Sequence, residues 1–262
     1  MLRLTRAINL TIDAADGRVT QGWGGQISLG HVPVRLWVTL EGPPAPATGF
    51  LVNVADIKAA FQEALKQQRL KAQNPADLFD WARQVVRQQF APLKLIRLKL
   101  ELNEQLTLTS RPEDNDMVQV TKKYELAAAH KLWNDDWDQQ HNFEVFGKCS
   151  NPRGHGHNYT VEITIRGKPD RKTGRLADLQ EMDQLVRQNI LDRFDHKNFN
   201  EDTVEFAHLI PTVENMAKVF YELLDGKFEK AQLTRVAVWE TVNTYAEYFG
   251  PQAGPLRFSS SV

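Results

Sequence analysis

GPPAPATGFLVNVADIKAAF, residues 42–61, lies without a gap on GKPDRKTGRLADLQEMDQLV, residues 167–186. Both stretches open with turn residues and run into an apolar helical period. The likeness extends in both directions. MLRLTRAINL (1–10) lies on MVQVTKKYEL (117–126), and Leu95 and Arg97 match Leu233 and Arg235. Self-similar stretches recurring in the same order mark a structural unit used twice. The local patterns name the unit. Residues 2–12, Val32–Leu40, Lys94–Leu102 and Leu106–Leu108 alternate or read as short apolar runs, as strands do. Ile57, Ala60, Phe61, Ala64 and Leu65 form one helical stripe, and Leu78, Trp81, Ala82, Val85, Val86 and Phe90 form a second after Pro75.

The same order follows after SRPEDNDM (110–117), which has linker composition. Val118–Leu126 and Tyr159–Ile165 are expected strands. Met182, Leu185, Val186, Ile190 and Phe194 make a helical stripe. Val213, Met216, Ala217, Phe220, Tyr221 and Leu224 make another, with Thr212 as its N-cap. Leu233–Glu240 and Tyr245–Tyr248 close the set. Each half is therefore strand–strand–helix–helix–strand–strand, an α+β unit with antiparallel strands and helices on one face. The expected boundaries are 1–109 for the first unit, 110–117 for a linker, 118–250 for the second unit and 251–262 for a loose tail.

The halves differ in their polar residues. Ala14 stands opposite His130, Leu102 opposite Glu240, and His31 opposite Gly156. The first half has no cysteine, no His-x-His and no counterpart of Asp195–His196. The second carries FGKCSNPRGHGHNY (146–159). His155 and His157, two apart at a strand start, point to the same face. They read either as polar loop histidines or as two ligands of one metal. His130 ends the preceding strand, and a hairpin would make it the third ligand of an open zinc site. Cys149 falls in the connecting loop, where Lys148, Arg153 and a nearby cation would favour the thiolate. Asp195 and His196 supply a carboxylate and an imidazole, the parts of a proton relay. Glu240, at the end of RVAVWE, is either a solvated strand end or a grip for a ring with two adjacent N–H donors.

Composition bounds the rest. A net charge of −1 with 25% charged residues does not suggest a nucleic-acid binder. A single cysteine permits no internal disulfide, in keeping with a reducing cytoplasm. The N-terminus lacks the apolar run of a signal peptide. No stretch approaches the roughly 18 apolar residues of a membrane span.

These residues resemble the 6-pyruvoyltetrahydropterin synthase family and the related bacterial 6-carboxytetrahydropterin synthases. The resemblance covers 118–249. It rests on FGKCSNPRGHGHNY, ELAAAH (125–130), LDRFDHKNFN (191–200), PTVENMA (211–217) and VWETVNTYAEY (238–248). It implies a tunnelling fold (T-fold), in which units close into an oligomeric barrel, and a Zn2+ held by His130, His155 and His157. It further implies Cys149 as general base, Asp195 and His196 as the relay, and Glu240 as pterin anchor, helped by Thr212 and Glu214. The implied substrate is the triphosphate of 7,8-dihydroneopterin, its phosphates within reach of Lys131, Lys148, Arg153 and Lys197. The product would be the 6-pyruvoyl or the 6-carboxy tetrahydropterin, the latter on a queuosine-type route. In the family the site lies between subunits. A homo-oligomer in which second halves form their own ring, first halves stacked against it, is therefore expected. A non-catalytic pterin or purine binder, or a scaffold, is the alternative. It would not need Cys149, Asp195, His196 and Glu240 together.

Overall fold

The computed structural model describes residues 1–22, 30–68, 70–114, 117–170 and 179–251. The expected tail and most of the glycine-rich GWGG connection at 22–25 lie outside these. The chain is α+β and divides into two compact units. One holds Met1–Lys122 with the stretch that opens at Arg166, and the other holds Lys123–Ile165 with the remainder. The division falls inside a strand rather than in the 110–117 segment.

In the first unit the strands are β1 (Leu2–Asp13), β2 (Val19–Gln21), β3 (His31–Gly42), β4 (Lys94–Glu101) and β5 (Leu106–Ser110). They lie in the order β2-β1-β3-β4-β5, and every pair is antiparallel. The register sets Leu36 opposite both Ile8 and Leu100. Alternation then puts Ile8, Leu10, Val34, Leu36, Val38, Leu98 and Leu100 on one buried face. Helices α1 (Val54–Gln68) and α2 (Pro75–Gln89) bury Ile57, Phe61 and Leu65, and Leu78, Trp81, Ala82, Val85 and Val86. Phe61 meets Trp81 edge-on at 5.2 Å. Asn74 begins α2 with a capping box, its side chain taking the Asp77 amide while the Asp77 carboxylate takes that of Asn74.

The segment read as a linker is built into this unit. Ser110 ends β5, and Pro112–Asp114 forms a 3-10 turn. Asp114 is 5% exposed and pairs with Arg166 at 3.1 Å. Its charges looked like linker composition because the partner of Asp114 lies far away in sequence.

In the second unit β6 (Val118–His130), β7 (His155–Gly167), β8 (Gln232–Thr241) and β9 (Thr244–Tyr248) follow in that order. The first residues of β6 pair with β5 inside the first unit. Tyr159, Val161, Ile163 and Ile165 line the buried face of β7. Helix α4 (Leu179–Val186) runs on through a π-helical turn at Arg187–Leu191 and a last turn at Asp192–Phe194, burying Met182, Val186, Ile190 and Phe194. Helix α5 (Val213–Leu224) adds Met216, Ala217, Phe220 and Leu224, and Phe194, Phe199, Phe206 and Phe220 form a ring-to-ring cluster. Among the described residues no helix is long and apolar enough to cross a membrane.

The connection between β6 and β7 holds a helix that the sequence pattern did not announce. α3 (Gln139–Phe146) shows no apolar stripe and exposes Phe143 and Val145. It is held by polar groups. Asp138 caps it, and Asn142 is completely buried. The Asn142 Oδ1 accepts from the Asn134 amide, and its Nδ2 donates to the carbonyls of Asn134, Trp137 and Asp138. This one side chain pins the segment between His130 and Cys149. Replacing it by alanine strands several buried groups at once, so Asn142→Ala should cost roughly 2–3 kcal/mol in urea unfolding.

Candidate active site

His130, His155 and His157 meet because two strand ends lie side by side. His130 is the last residue of β6, and His155 and His157 open β7 on one face. Gly154 permits the approach. Its φ is 68°, and a Cβ there would stand 2.9 Å from the His130 carbonyl oxygen. Any side chain at Gly154 would push β7 away from His130.

The three rings pack edge to face, with centroids 4.5–5.2 Å apart. His130 is 1% exposed, and its Nδ1 lies 2.8 Å from the Pro211 carbonyl oxygen. A carbonyl only accepts, so Nδ1 carries the proton, and Nε2 of the neutral ring holds a lone pair. That Nε2 is 3.0 Å from Nε2 of His155. Glu240, from the end of β8, completes the group. Its Oε1 is 3.4 Å from His130 Nε2 and 3.3 Å from His157 Nε2. The four donor atoms all lie within 4.8 Å of one another.

This donor set fits zinc. Bonds of roughly 2.0–2.1 Å in a tetrahedron set ligand atoms ~3.3 Å apart, close to three of the separations found. His157 Nε2 is buried with no hydrogen-bond partner, as is His155 Nδ1. A cation would supply the partner at His157 Nε2, which faces the Glu240 carboxylate among the other donors. Protons are disfavoured here. Burial, then the neighbouring imidazoles, push His130 down to about 4 against the opposing bond to Pro211. His155 is also lowered, chiefly by burial, then by His157. His130 and His155 are thus biased toward the unprotonated form that binds metal.

Cys149 sits in a 3-10 turn (Gly147–Ser150), partly buried, with its carbonyl accepting from the Leu132 amide at 2.9 Å. The expected lowering of its pKa by Lys148 and Arg153 does not occur. Burial, then the Glu240 carboxylate, push the thiol up. Asp195 and His196 bond each other, Nδ1 to Oδ2 at 2.9 Å. Asp195 Oδ1 also accepts from the Ala127 amide at 2.9 Å. Desolvation opposes the change, but hydrogen bonds from Ala127 and His196 leave the Asp195 carboxyl below its usual range. His196 has a positive φ of 58°, and its ring is 82% exposed. Neither residue bonds Cys149 or the histidines within the chain.

Thr212 caps α5, its hydroxyl accepting from the Asn215 amide at 3.3 Å. Glu214 stands exposed on the first turn of that helix, three residues beyond the Pro211 carbonyl. Glu240, read from sequence as a ring anchor, lies among the metal donors; its place at a strand end carried no hint of that neighbour. Sequence reading also passed over Tyr159. Its ring packs on His130 and His157, and its buried hydroxyl has no partner.

A family model described as 6-pyruvoyl tetrahydropterin synthase matches residues 119–251. The 6-pyruvoyl tetrahydrobiopterin synthase of Drosophila melanogaster is 38% identical over 133 residues, 50% of this chain and 79% of the fly protein. The 6-carboxy-5,6,7,8-tetrahydropterin synthase of Bacillus subtilis is 34% identical over 119 residues, 43% of this chain and 77% of the bacterial one. A solved 6-pyruvoyl tetrahydropterin synthase from Caenorhabditis elegans aligns at 31% identity with a TM-score of 0.49, covering 52% of this chain and 96% of that one. The family match leaves residues 1–118 outside it.

The lowered pKa of His130 fixes a pH dependence. The unfolded ring takes up a proton near 6.5 and the folded ring near 4. This contribution to stability is therefore fully present above about pH 6.5 and lost as pH falls toward 4. Urea unfolding of the metal-free protein should lose on the order of 3 kcal/mol from this group across that window. His130→Gln should lose correspondingly less over the same range. Tyr159→Phe removes an unpaired buried hydroxyl and should raise the stability of the metal-free protein by about 1 kcal/mol.

Proposed function

The chain belongs to the 6-pyruvoyl tetrahydropterin synthase family, whose enzymes are lyases, and on that premise we propose that it is a zinc-dependent lyase of the triphosphate of 7,8-dihydroneopterin. The observation that carries this reading is the cluster of His130, His155 and His157 with Glu240, drawn from three separate strands of the matched half. The reaction expels triphosphate and leaves a 6-pyruvoyl tetrahydropterin. The ring gains two hydrogens and the side chain loses two, so only protons need to be moved and no outside reductant enters.

His130, His155 and His157 would hold the zinc, which when bound supplies a Lewis acid for the side-chain hydroxyls of the substrate. Cys149 is the general base that takes a proton from the side-chain carbon beside the bound oxygen. In the metal-free protein its thiol is held up by burial and Glu240; a dication at the three histidines opposes that effect and favours the thiolate. Asp195 orients His196 through the Nδ1 bond, leaving Nε2 to give and take the remaining protons. Glu240, Thr212 and Glu214 are assigned to the ring, the carboxylates accepting from its N–H groups.

The Asp195–His196 pair faces solvent in a single copy. The reading therefore includes self-association, with His196 of one copy meeting Cys149 of another in a barrel of T-fold units. The first unit repeats the element order without the site residues and serves as scaffold.

A 6-carboxy product is the second reading, favoured by the similarity to the Bacillus subtilis enzyme. That route consumes water and releases acetaldehyde with the triphosphate. The zinc-loaded protein incubated with the triphosphate of 7,8-dihydroneopterin should give a product whose mass decides between the two, with acetaldehyde appearing only on the second. Cys149→Ala should lower kcat by about 10²–10⁴-fold at unchanged zinc content. Full turnover in that variant would remove Cys149 as the base.

A further inference from the structure

Glu240 stands where a catalytic zinc site of three histidines would be left open. Its Oε1 is 3.3 Å from His157 Nε2 and 3.4 Å from His130 Nε2. Those contacts are unfavourable without a positive centre between them. The His130 Nε2 carries a lone pair, because its Nδ1 proton is committed to Pro211. The His157 Nε2 shares no hydrogen bond with the carboxylate despite its burial. A carboxylate oxygen and two imidazole lone pairs converging in this way describe ligands of one cation.

The four donors are not held equally. His130 is 1% exposed and locked through Pro211. His155 and His157 share the rigid start of β7 beside Gly154. Glu240 is 18% exposed and stands one residue before β8 ends, ahead of the exposed turn at Val242. Its longer side chain also offers more torsions than an imidazole. No hydrogen bond among the described residues fixes its carboxylate. His157 is 22% exposed and so no less open to solvent, but it stands inside β7; Glu240 adds to its exposure the longer side chain and the freedom to swing.

We propose that Glu240 is a displaceable fourth ligand. In the resting protein its carboxylate closes the metal held by His130, His155 and His157. An incoming molecule with oxygen donors takes its place, one oxygen for another with no change of charge on the carboxylate. The displaced carboxylate is then an acceptor beside the metal, free to receive N–H donors of the same molecule. One residue thus shields the metal from water and adventitious anions until a chelating ligand arrives. This inference rests on the metal reading given under the proposed function.

Cobalt(II)-loaded protein tests it with azide as the probe of an open position, read by visible absorption. The wild-type spectrum should resist azide, whereas Glu240→Ala should bind it at least about tenfold tighter. Glu240→Gln, which keeps the side-chain volume, should shift the same way. Equal azide affinity in wild type and both variants, with cobalt bound in all, would overturn the displaceable ligand and leave the proposed enzyme intact. Failure of the wild-type protein to take up cobalt or zinc would overturn the metal reading itself and this inference with it.

Discussion

The end of β6 is the strip on which the candidate site is assembled. From Ala127 to Leu132, alternate backbone groups and the buried His130 side chain are taken by other segments of the second unit. The Ala127 amide donates to the Asp195 carboxylate, and its carbonyl accepts from the His196 amide. The Ala129 amide donates to the Lys197 carbonyl. His130 donates from Nδ1 to Pro211, and Lys131 exchanges two bonds with the Asn200 side chain. The Leu132 amide donates to the Cys149 carbonyl. Three sequence motifs far apart in the chain therefore share one short backbone reference. Because unmet backbone groups are costly once buried, the strip also sets their registration.

The electrostatics follow from that packing. Burial, then the neighbouring imidazoles, hold His130 and His155 below the usual histidine range. The only anion among them is Glu240, which also raises the neighbouring thiol. Left alone, this is a cluster of lone pairs and a negative charge with little to balance it. A dication resolves every member at once: it partners the orphaned His157 nitrogen, neutralises Glu240 and favours the thiolate of Cys149. The arrangement fits a metal centre, and this convergence of donor atoms argues for chemistry rather than packing.

Much of the fold was legible in sequence because both periods are strongly written. Alternation located every long strand to within a few residues, and the helical stripes of α1, α2, α4 and α5 matched buried faces. What escaped lacked an apolar signature. α3 is held by Asp138 and Asn142 rather than by a stripe, and β2 is three residues long. Within the 110–117 segment, the pairing of Asp114 with Arg166 was not legible because the two lie far apart in sequence. The histidines and their hairpin were readable from spacing. The position of Glu240 beside them was not, since it depends on how β8 aligns with β7. Cys149 shows a similar limit: Lys148, Arg153 and a nearby cation favour its thiolate, while burial and Glu240, properties of the folded chain, oppose it.

The central claim rests on the convergence of His130, His155, His157 and Glu240 from three strands, which calls for a ligand. X-ray absorption at the zinc edge of the loaded protein tests this most directly. The account predicts one zinc per chain with nitrogen and oxygen neighbours at about 2.0–2.1 Å and imidazole scattering beyond. A sulfur neighbour near ~2.3 Å, or no stoichiometric zinc, would contradict it.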